Sequence, residues 1–455
     1  MASIHAASYI NTPDGQLQGP SGPQVSLGSL MKPMKDVWPA VDATNGPITA
    51  DSGIVAGTPS TSGLTLYAWD SGMFNTQSQS WVVTPTGANQ NTSGFSACMN
   101  ASTPRIHTFG SLTNYPLESN IDFSFVTDAT TITLFYFVNG AYSGNTYHDH
   151  QIYAEYNGSM RKLTMLPATF NASNGVMYRT ITFKEARERE MRVMLPMNGW
   201  LIGVYINTTA TIRKAPNKMF VITNGDSWNE PGGNILASPI GGAWPTGTYR
   251  VGGMSQMIAE ATGWAVGLCA EGGTGEFNCN DGQSRDPSYT DGGGTSVFHG
   301  HTRIDDMATK FFAKSPLVWT IGGWNDGSHG GTPYKDTYYA RVLQGIDYFV
   351  SKKSDIKLMY SGIQPVDITA GDMRTLSVQG QAQACAERPN SVIGFIDEMP
   401  MWPDTTMSGQ RGANVNSTDT IHLHIKGAEL VANWHLAAAS KFTIPLDYYN
   451  KMLAA

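Results

Sequence analysis

Three short segments of the chain contain residue types that together could hydrolyse an ester. Ser227 lies in NGDSW directly after an apolar run, Asn325 lies in GGWND, and Asp419 and His422 lie in DTIH. A serine hydroxyl becomes a nucleophile when an oriented base takes its proton. Because Asp419 and His422 are three residues apart, they project to the same side of a helical turn or tight loop. The carboxylate can then orient the imidazole while the imidazole faces Ser227.

The same chemistry needs hydrogen-bond donors for the negative charge that develops on the substrate oxygen. Three candidates occur in the chain: the backbone N–H of Ser227, the backbone N–H of Gly272 or Gly273 in EGGTG, and the side-chain amide of Asn325. Losing one such donor typically raises the barrier by about 3–4 kcal/mol. The donors therefore matter as much as the base.

The elements that must position these residues follow a linker at 215–217. Strand candidates alternate with helix candidates, and the catalytic blocks follow the carboxyl ends of strands. This alternation predicts an α/β fold, a five-stranded parallel sheet wound on both faces with the site at its carboxyl edge. The predicted strands are Met219–Thr223, Trp264–Leu268, Leu317–Ile321, Ile356–Tyr360 and Val392–Ile396, and the predicted helices lie near 249–261, 301–313, 336–352, 372–387 and 424–438.

The first half of the chain has a different texture. Residues 1–62 are rich in Gly, Pro, Ser and Thr, which predicts an extended amino-terminal arm. Residues 63–216 contain β-branched and aromatic runs separated by turn signals, which predicts an all-β sandwich of jelly-roll type. The predicted organisation is thus an arm (1–62), a β-sandwich accessory domain (63–216) and an α/β domain (217–455). Within the sandwich, the mixed charges of 184–190 are typical of a solvated face.

Composition limits the class of protein. The chain has 455 residues, 41% hydrophobic and 14% charged, with a formal charge of −7 and no basic run, so nucleic acid is not an expected partner. The amino terminus lacks the pattern of a signal peptide, and no apolar run is long enough for membrane insertion. A protein of this kind that acts outside a cell would leave by another route, belong to a particle such as a virion, or have been trimmed.

Cysteine and histidine spacing gives no metal or cofactor site. Cys269 and Cys279 are close enough in sequence to bridge a loop, with unpaired thiols as the alternative. His299 and His301 have the two-residue spacing of metal ligands, but no third ligand cluster accompanies them. We therefore expect a loop-to-helix junction there and no bound metal or cofactor.

Four blocks of the chain resemble those of the SGNH (GDSL-type) hydrolases, in the family's order, over about 217–455: NGDSW (first), EGGTG (second), GGWND (third) and DTIH (fourth). The resemblance implies a flavodoxin-like fold with Ser227 as nucleophile, His422 as base and Asp419 as its orienting acid; His424 is an alternative base. It also implies an oxyanion hole formed by Ser227, Gly273 and Asn325. A β-sandwich before such a domain is similar to the arrangement in carbohydrate O-acetylesterases and in phage tail proteins that remove acyl groups from polysaccharide.

Substrate contacts are less specific in the sequence. Trp228, Trp244 and Trp324 lie beside or near the motifs, where indoles could stack on sugar rings or act as packing anchors. The long connection at 275–299 is typical of a lid, a substrate wall or a surface insertion. An arm-like start is compatible with a homo-oligomer.

Three functions follow as hypotheses. The first is a serine esterase that removes O-acetyl groups from a carbohydrate through an acyl-enzyme. The second keeps the chemistry on a lipid, thioester or small aryl ester. The third is a glycan-binding adhesion protein whose sandwich is the working part and whose hydrolase-like domain is inert.

Overall fold

A computed structural model describes residues 22–34, 41–78, 82–83, 94–95, 121–138, 151–163, 175–195, 199–226, 229, 254–270, 274–278, 285–288, 297–323, 325–326, 335–362, 371–398 and 425–455. The strands in these residues are β1 (Gln24–Ser26), β2 (Ile48–Asp51), β3 (Val55–Ala56), β4 (Leu64–Ala68), β5 (Val82–Val83), β6 (Gly94–Phe95), β7 (Ile121–Thr127), β8 (Thr131–Val138), β9 (Gln151–Tyr156), β10 (Ser159–Lys162), β11 (Gly175–Phe183), β12 (Arg189–Leu195), β13 (Gly199–Asn207), β14 (Ile212–Lys214), β15 (Phe220–Gly225), β16 (Ala265–Ala270), β17 (Leu317–Ile321), β18 (Lys357–Ser361), β19 (Val392–Ile396) and β20 (Thr443–Pro445). The helices are α1 (Met254–Thr262), α2 (His301–Phe311), α3 (Lys335–Lys352), α4 (Gly371–Ala386), α5 (Ile425–Ala439) and α6 (Leu446–Ala454), with short 3-10 turns at Gly28–Leu30 and Phe312–Lys314.

The second half of the chain forms the predicted parallel sheet. Its strand order is β16-β15-β17-β18-β19, and every neighbouring pair is parallel. Strands β15, β17 and β18 are buried along their whole length, because a sheet covered on both faces excludes water from both sides. This burial explains why the apolar residues in each are consecutive rather than alternating, as in FVI of β15, LVW of β17 and LMY of β18.

Helices cover both faces of the parallel sheet. Helix α1 packs against α5 on one face, while α2 and α4 both pack against α3 on the other. In α3 the buried residues recur every three or four positions (Tyr338, Val342, Ile346 and Phe349), which is the spacing of one helical face. The order of strands changes direction at β15, so the crevice at the carboxyl ends of β15, β16 and β17 is where such folds bind ligands.

The first half forms two antiparallel sheets that share one core. One sheet has the order β10-β9-β12-β7-β14; the other has the order β2-β11-β8-β13-β6-β5, with β3 added at β11 and β4 at β13. A single buried cluster contains Phe125 of one sheet and Leu134 of the other, together with further residues from both. The two sheets therefore pack face to face as a sandwich.

The described parts of the predicted arm are not a separate extension. Strand β1 pairs antiparallel with β20 near the carboxyl terminus, and Leu27 is fully buried in the core of the α/β half. Strands β2 and β3, also before residue 62, pair with β11 in the sandwich. These segments are integral to both halves because their backbone groups complete sheet edges that would otherwise be unpaired.

Buried polar contacts join the sandwich to the α/β half. Arg192 of β12 forms an ion pair with Asp122 and donates from its guanidinium to the carbonyls of Gly263 (3.1 Å) and Trp264 (2.7 Å). The Tyr153 hydroxyl donates to a carboxylate oxygen of Glu260 at 2.5 Å, and burial, reinforced by Glu260, raises the pKa of Tyr153 well above its usual value. Since buried polar groups are costly unless paired, separating the halves would leave several of them unsatisfied.

Candidate active site

The ends of β15 and β17 are held together directly at the carboxyl edge. A carboxylate oxygen of Asp226 accepts the backbone N–H of Gly323 at 3.0 Å, and the Asn229 side-chain amide donates to the carbonyl of Ile321 at 2.7 Å. No side chain fits at Gly225, where a Cβ would lie 1.9 Å from Nδ2 of Asn229. Gly322 adopts φ of 138°, which favours glycine. The glycines therefore allow the first and third sequence blocks to meet.

Asp326 of the third block also binds the residues that follow the second block. Asp326 accepts backbone N–H groups of Glu276 (2.7 Å), Phe277 (2.9 Å) and Asn278 (3.1 Å), and the Tyr338 hydroxyl donates to it at 2.9 Å. The carboxylate therefore fixes the backbone of 276–278 against the end of β17. The described parts of the 275–299 connection, 275–278, 285–288 and 297–299, include buried residues bonded into this edge rather than only surface loop.

Two hydrogen bonds hold Asn325 at this edge. Its side-chain Nδ2 donates to the backbone carbonyl of Thr274 at 2.9 Å, and the backbone carbonyl of Asn325 accepts the Asn278 side-chain amide at 3.1 Å. The bond to Thr274 orients the carboxamide, so the side chain of Asn325 is held in one direction at the carboxyl edge.

Burial raises the pKa of Asp326 to about 6 from its usual 3.8. The nearby Glu276 carboxylate adds to this rise, whereas the N–H bonds from Phe277 and Glu276 and the Tyr338 hydroxyl oppose it. Two buried carboxyl groups in proximity disfavour simultaneous ionisation. Asp326 therefore titrates closer to neutrality than an exposed aspartate.

A buried chain of hydrogen bonds from Glu276 through His299 to Tyr360 holds the residues that follow the second block. Nδ1 of His299 lies 2.5 Å from Oε2 of Glu276, and Nε2 lies 2.9 Å from the Tyr360 hydroxyl. A neutral imidazole satisfies both contacts by donating to the carboxylate and accepting from the phenol. This chain connects 276 to β18. His301 begins α2 and stacks on Tyr348, so the two histidines lie at the expected loop-to-helix junction.

A second buried pair ties the end of β19 to α5. Nδ1 of His435 lies 2.9 Å from the Val431 carbonyl, and Nε2 lies 2.6 Å from Oε1 of Glu398. Because a carbonyl only accepts, Nδ1 must carry a proton, and the contact at Nε2 then needs a further proton on either the imidazole or the carboxyl group. The pair is therefore imidazolium with carboxylate, or neutral imidazole with carboxylic acid. In the chain, Asp419 and His422 lie between Glu398 and His435.

Most of the predicted site residues lie outside the described residues. These are Ser227, Gly273, Asp419 and His422, the alternatives Gly272 and His424, and the three tryptophans Trp228, Trp244 and Trp324. Asn325 is described and lies at the predicted edge. Cys269 is buried at the end of β16, while Cys279 lies outside the described residues, so their pairing stays a prediction.

The structure adds buried polar residues that the sequence blocks do not reveal. Arg303, Glu276 and His299 lie at the carboxyl edge on α2 and the 275–299 connection, and Glu398 and His435 meet there from the chain after β19 and from α5. Apart from the spacing of His299 to His301, their signal in the sequence is a polar residue type inside or beside an apolar element. Among the residues that the structure describes, no group of three or more His, Cys, Asp or Glu side chains could hold a metal ion, and no helix is long and apolar enough to cross a membrane.

Comparisons with known proteins yield structural similarity alone. No protein-family model and no curated protein matches the chain. Similar solved structures include a family two carbohydrate esterase from Cellvibrio japonicus (12% identity, 83% of this chain and 98% of that chain, TM-score 0.43). Others are a family two carbohydrate esterase from Clostridium thermocellum in complex with cellohexaose (14%, 70% and 92%, TM-score 0.41) and a GDSL-like lipase from Bacteroides ovatus (14%, 71% and 86%, TM-score 0.40). These proteins are of the type that the motifs resemble, but at such identities and TM-scores the activity of this chain has to rest on its own site.

Proposed function

We propose that this protein is a serine ester hydrolase of SGNH type that removes O-acyl groups, most of all O-acetyl groups, from a carbohydrate. One observation carries the proposal: described residues of the first, second and third blocks, which are distant in sequence, meet at one edge of a parallel sheet. Asp226 bonds the N–H of Gly323, and Asn325 bonds the carbonyl of Thr274. These contacts lie next in sequence to the proposed nucleophile and the proposed glycine donor.

The proposed reaction has two steps. The Ser227 hydroxyl attacks the ester carbonyl while His422 takes its proton, and the imidazolium then protonates the departing sugar oxygen. A water molecule, deprotonated by the same imidazole, attacks the acyl-enzyme, and the imidazolium returns the proton to the departing Ser227 oxygen as the acid is released. Asp419 orients the imidazole throughout, and all proton transfers use side chains of the chain itself, so the proposal needs no cofactor.

The developing oxyanion would be stabilised by the N–H groups of Ser227 and Gly273 and by the amide of Asn325. Preorganised donors act strongly because they need no reorientation during the reaction. The fixed carboxamide of Asn325 supports this role. Trp228, Trp244 and Trp324 are proposed to stack on sugar rings, and residues 63–216, together with β2 and β3, are proposed to form a jelly-roll-like accessory domain.

The first test is hydrolysis of para-nitrophenyl acetate by the wild type and by Ser227→Ala. We expect the substitution to abolish turnover with an unchanged circular dichroism spectrum, because the proposed acyl-enzyme forms on the Ser227 hydroxyl. Ser351→Ala is the matched control, since Ser351 is an exposed helix residue that bonds within its own helix. Turnover retained in Ser227→Ala would refute the nucleophile assignment.

The second test decides the substrate. Mass spectrometry of acetylated polysaccharides before and after treatment should show loss of acetyl groups with the wild type and none with Ser227→Ala. A preference for long acyl chains among para-nitrophenyl esters would instead favour a lipid esterase. Binding of the acetylated glycan by both proteins without any turnover would favour an inert, glycan-binding protein.

A further inference from the structure

Arg303 is a buried arginine on α2 that reaches the carboxyl edge of the sheet. Only 6% of the residue is exposed, and its guanidinium lies 5.6 Å from the centre of the Phe298 ring. Burying a guanidinium is unfavourable unless hydrogen bonds replace its water. The positions of its partners therefore indicate what the residue does.

The guanidinium spans two strand ends. Nη1 donates to Oδ1 of Asn224 (3.2 Å) and to the carbonyl of Gly225 (3.1 Å), both at the end of β15. Nη2 donates to the hydroxyl of Thr274 at 3.1 Å, after the end of β16. A planar fork with fixed N–H directions can bridge two such groups at a set separation, which a flexible ammonium does less well.

Thr274 passes this constraint to the third strand end. Its hydroxyl accepts from Arg303, and its carbonyl accepts from the amide of Asn325. Asn224 extends the same network, since its Nδ2 donates to the hydroxyl of Thr320 on β17 at 3.3 Å. One guanidinium is thus connected to the ends of all three strands at the crevice.

We propose that Arg303 is a positioning residue for the oxyanion hole, an inference that rests on the proposed function. In the sequence, Ser227 is two residues after Gly225, and Gly273 directly precedes Thr274. The bonds of Arg303 therefore fix the chain next to both proposed backbone donors, and Thr274 connects them to the third donor, Asn325. Arg303 sets the separation of the three donors without contacting the substrate.

The expected effect is on turnover rather than on substrate affinity. Loss of one oxyanion donor lowers kcat by about 100- to 1000-fold, and a misplacement of about 1 Å costs about 100-fold. For Arg303→Met we expect kcat on para-nitrophenyl acetate to fall about 100-fold, with KM within about threefold of the wild type. Arg303→Lys keeps the charge but not the fork, so we expect it to lose at least about tenfold in kcat.

A narrower change tests the Thr274 connection alone. Thr274→Val removes the hydroxyl at nearly constant volume and should lower kcat about tenfold, whereas Thr274→Ser restores the acceptor and should recover most of the loss. The matched control is Arg189→Met in the sandwich. Arg189 is also a buried arginine that donates to backbone carbonyls and lies over a phenylalanine ring, at 4.1 Å from Phe183, but far in sequence from the blocks.

Hydrogen exchange provides a readout that does not depend on esterase activity. Arg303→Met should exchange the amides of Gly275, Glu276, Phe277 and Asn278 at least about tenfold faster than both the wild type and Arg189→Met. A wild type without turnover would refute the proposed function, and exchange would then decide the positioning role by itself. If Arg303→Met does not fold, Arg303→Lys takes its place in both measurements. In whichever Arg303 variant is measured, a kcat equal to that of the wild type, or unchanged amide hydrogen exchange at 275–278, would overturn the inference.

Discussion

Replacing Asp326 by Asn isolates the titration of one buried carboxyl group. Asp326 is 5% exposed, and burial, reinforced by Glu276, raises its pKa to about 6 from 3.8. A raised pKa means that the folded protein binds the proton more tightly than the unfolded chain does. The stability contributed by this proton is therefore fully present below pH 3.8 and is lost as the pH rises through about 6.

The magnitude follows from the two pKa values. Because one pKa unit corresponds to about 1.36 kcal/mol, the rise from 3.8 to about 6 makes the complete loss about 3 kcal/mol. Part of this loss has occurred by pH 4 and nearly all of it by pH 7. Between these two pH values, the contribution of Asp326 should fall by about 2 kcal/mol.

The assay is urea unfolding of the wild type and Asp326→Asn at several values between pH 4 and pH 7. The asparagine does not titrate, and the constant cost of turning its NH₂ toward N–H donors cancels from the pH trend. We expect the unfolding free energy of the wild type, relative to the variant, to decrease as the pH rises. Asp355→Asn is a control of opposite sign: although partial burial opposes it, the lysines Lys451 and Lys353 lower the pKa of Asp355.

The opposite trend would refute the reasoning for Asp326. Four hydrogen-bond donors face this carboxylate, and bonds of this kind favour the ionised form. If the relative stability of the wild type increased with pH, these donors would outweigh burial and the effect of Glu276. The pKa of Asp326 would then lie below 3.8 rather than above it.

Three further substitutions each test one buried contact: the close approach at Gly225, the Arg192 contacts between the halves, and the Glu398–His435 pair. Gly225→Ala places a methyl group 1.9 Å from the Asn229 amide, so we expect a loss of about 3 kcal/mol in urea unfolding together with loss of turnover; wild-type values would contradict the close approach. Arg192→Met leaves the buried carboxylate of Asp122 without its counter-ion and removes the donor to two carbonyls between the halves, which should cost about 3–5 kcal/mol, and a loss below about 1 kcal/mol would show that the contact is not stabilising. Glu398→Gln can donate to Nε2 of a neutral His435, so its unfolding free energy should stay within about 1 kcal/mol of the wild type, whereas a much larger loss would show that the pair is ionic.

The sequence alone predicted the α/β half closely. The predicted strands Leu317–Ile321 and Val392–Ile396 coincide with β17 and β19, and the predicted helix at 336–352 differs from α3 by one residue. Such elements are readable because a strand buried on both faces is an apolar run of fixed length, and the helices between them show their own periodicity. The meeting of the first and third blocks was also predictable, since parallel strands end at one edge.

The sequence missed elements whose partners are distant. Strand β1 pairs with β20 more than 400 residues later, and nothing in either short segment specifies the other. In the charged stretch at 184–190, residues 184–188 are exposed, as a solvated face predicts, whereas Arg189, where β12 begins, is buried and bonded to carbonyls. A run of charged residues predicts exposure because charged side chains usually need water as a hydrogen-bond partner. At Arg189 the backbone carbonyls of Ala129 and Glu185 take the place of that water.

The residues of the site divide in the same way. Their types and order in the chain already indicate a serine, an imidazole, a carboxylate and an amide suited to ester hydrolysis. Only the tertiary structure shows that Arg303 connects β15 to the chain after β16, and that Asp326 holds 276–278 in place. The sequence determines the chemical type of each side chain. The partner that orients a side chain depends on which surfaces the folded sheet and helices bring into contact.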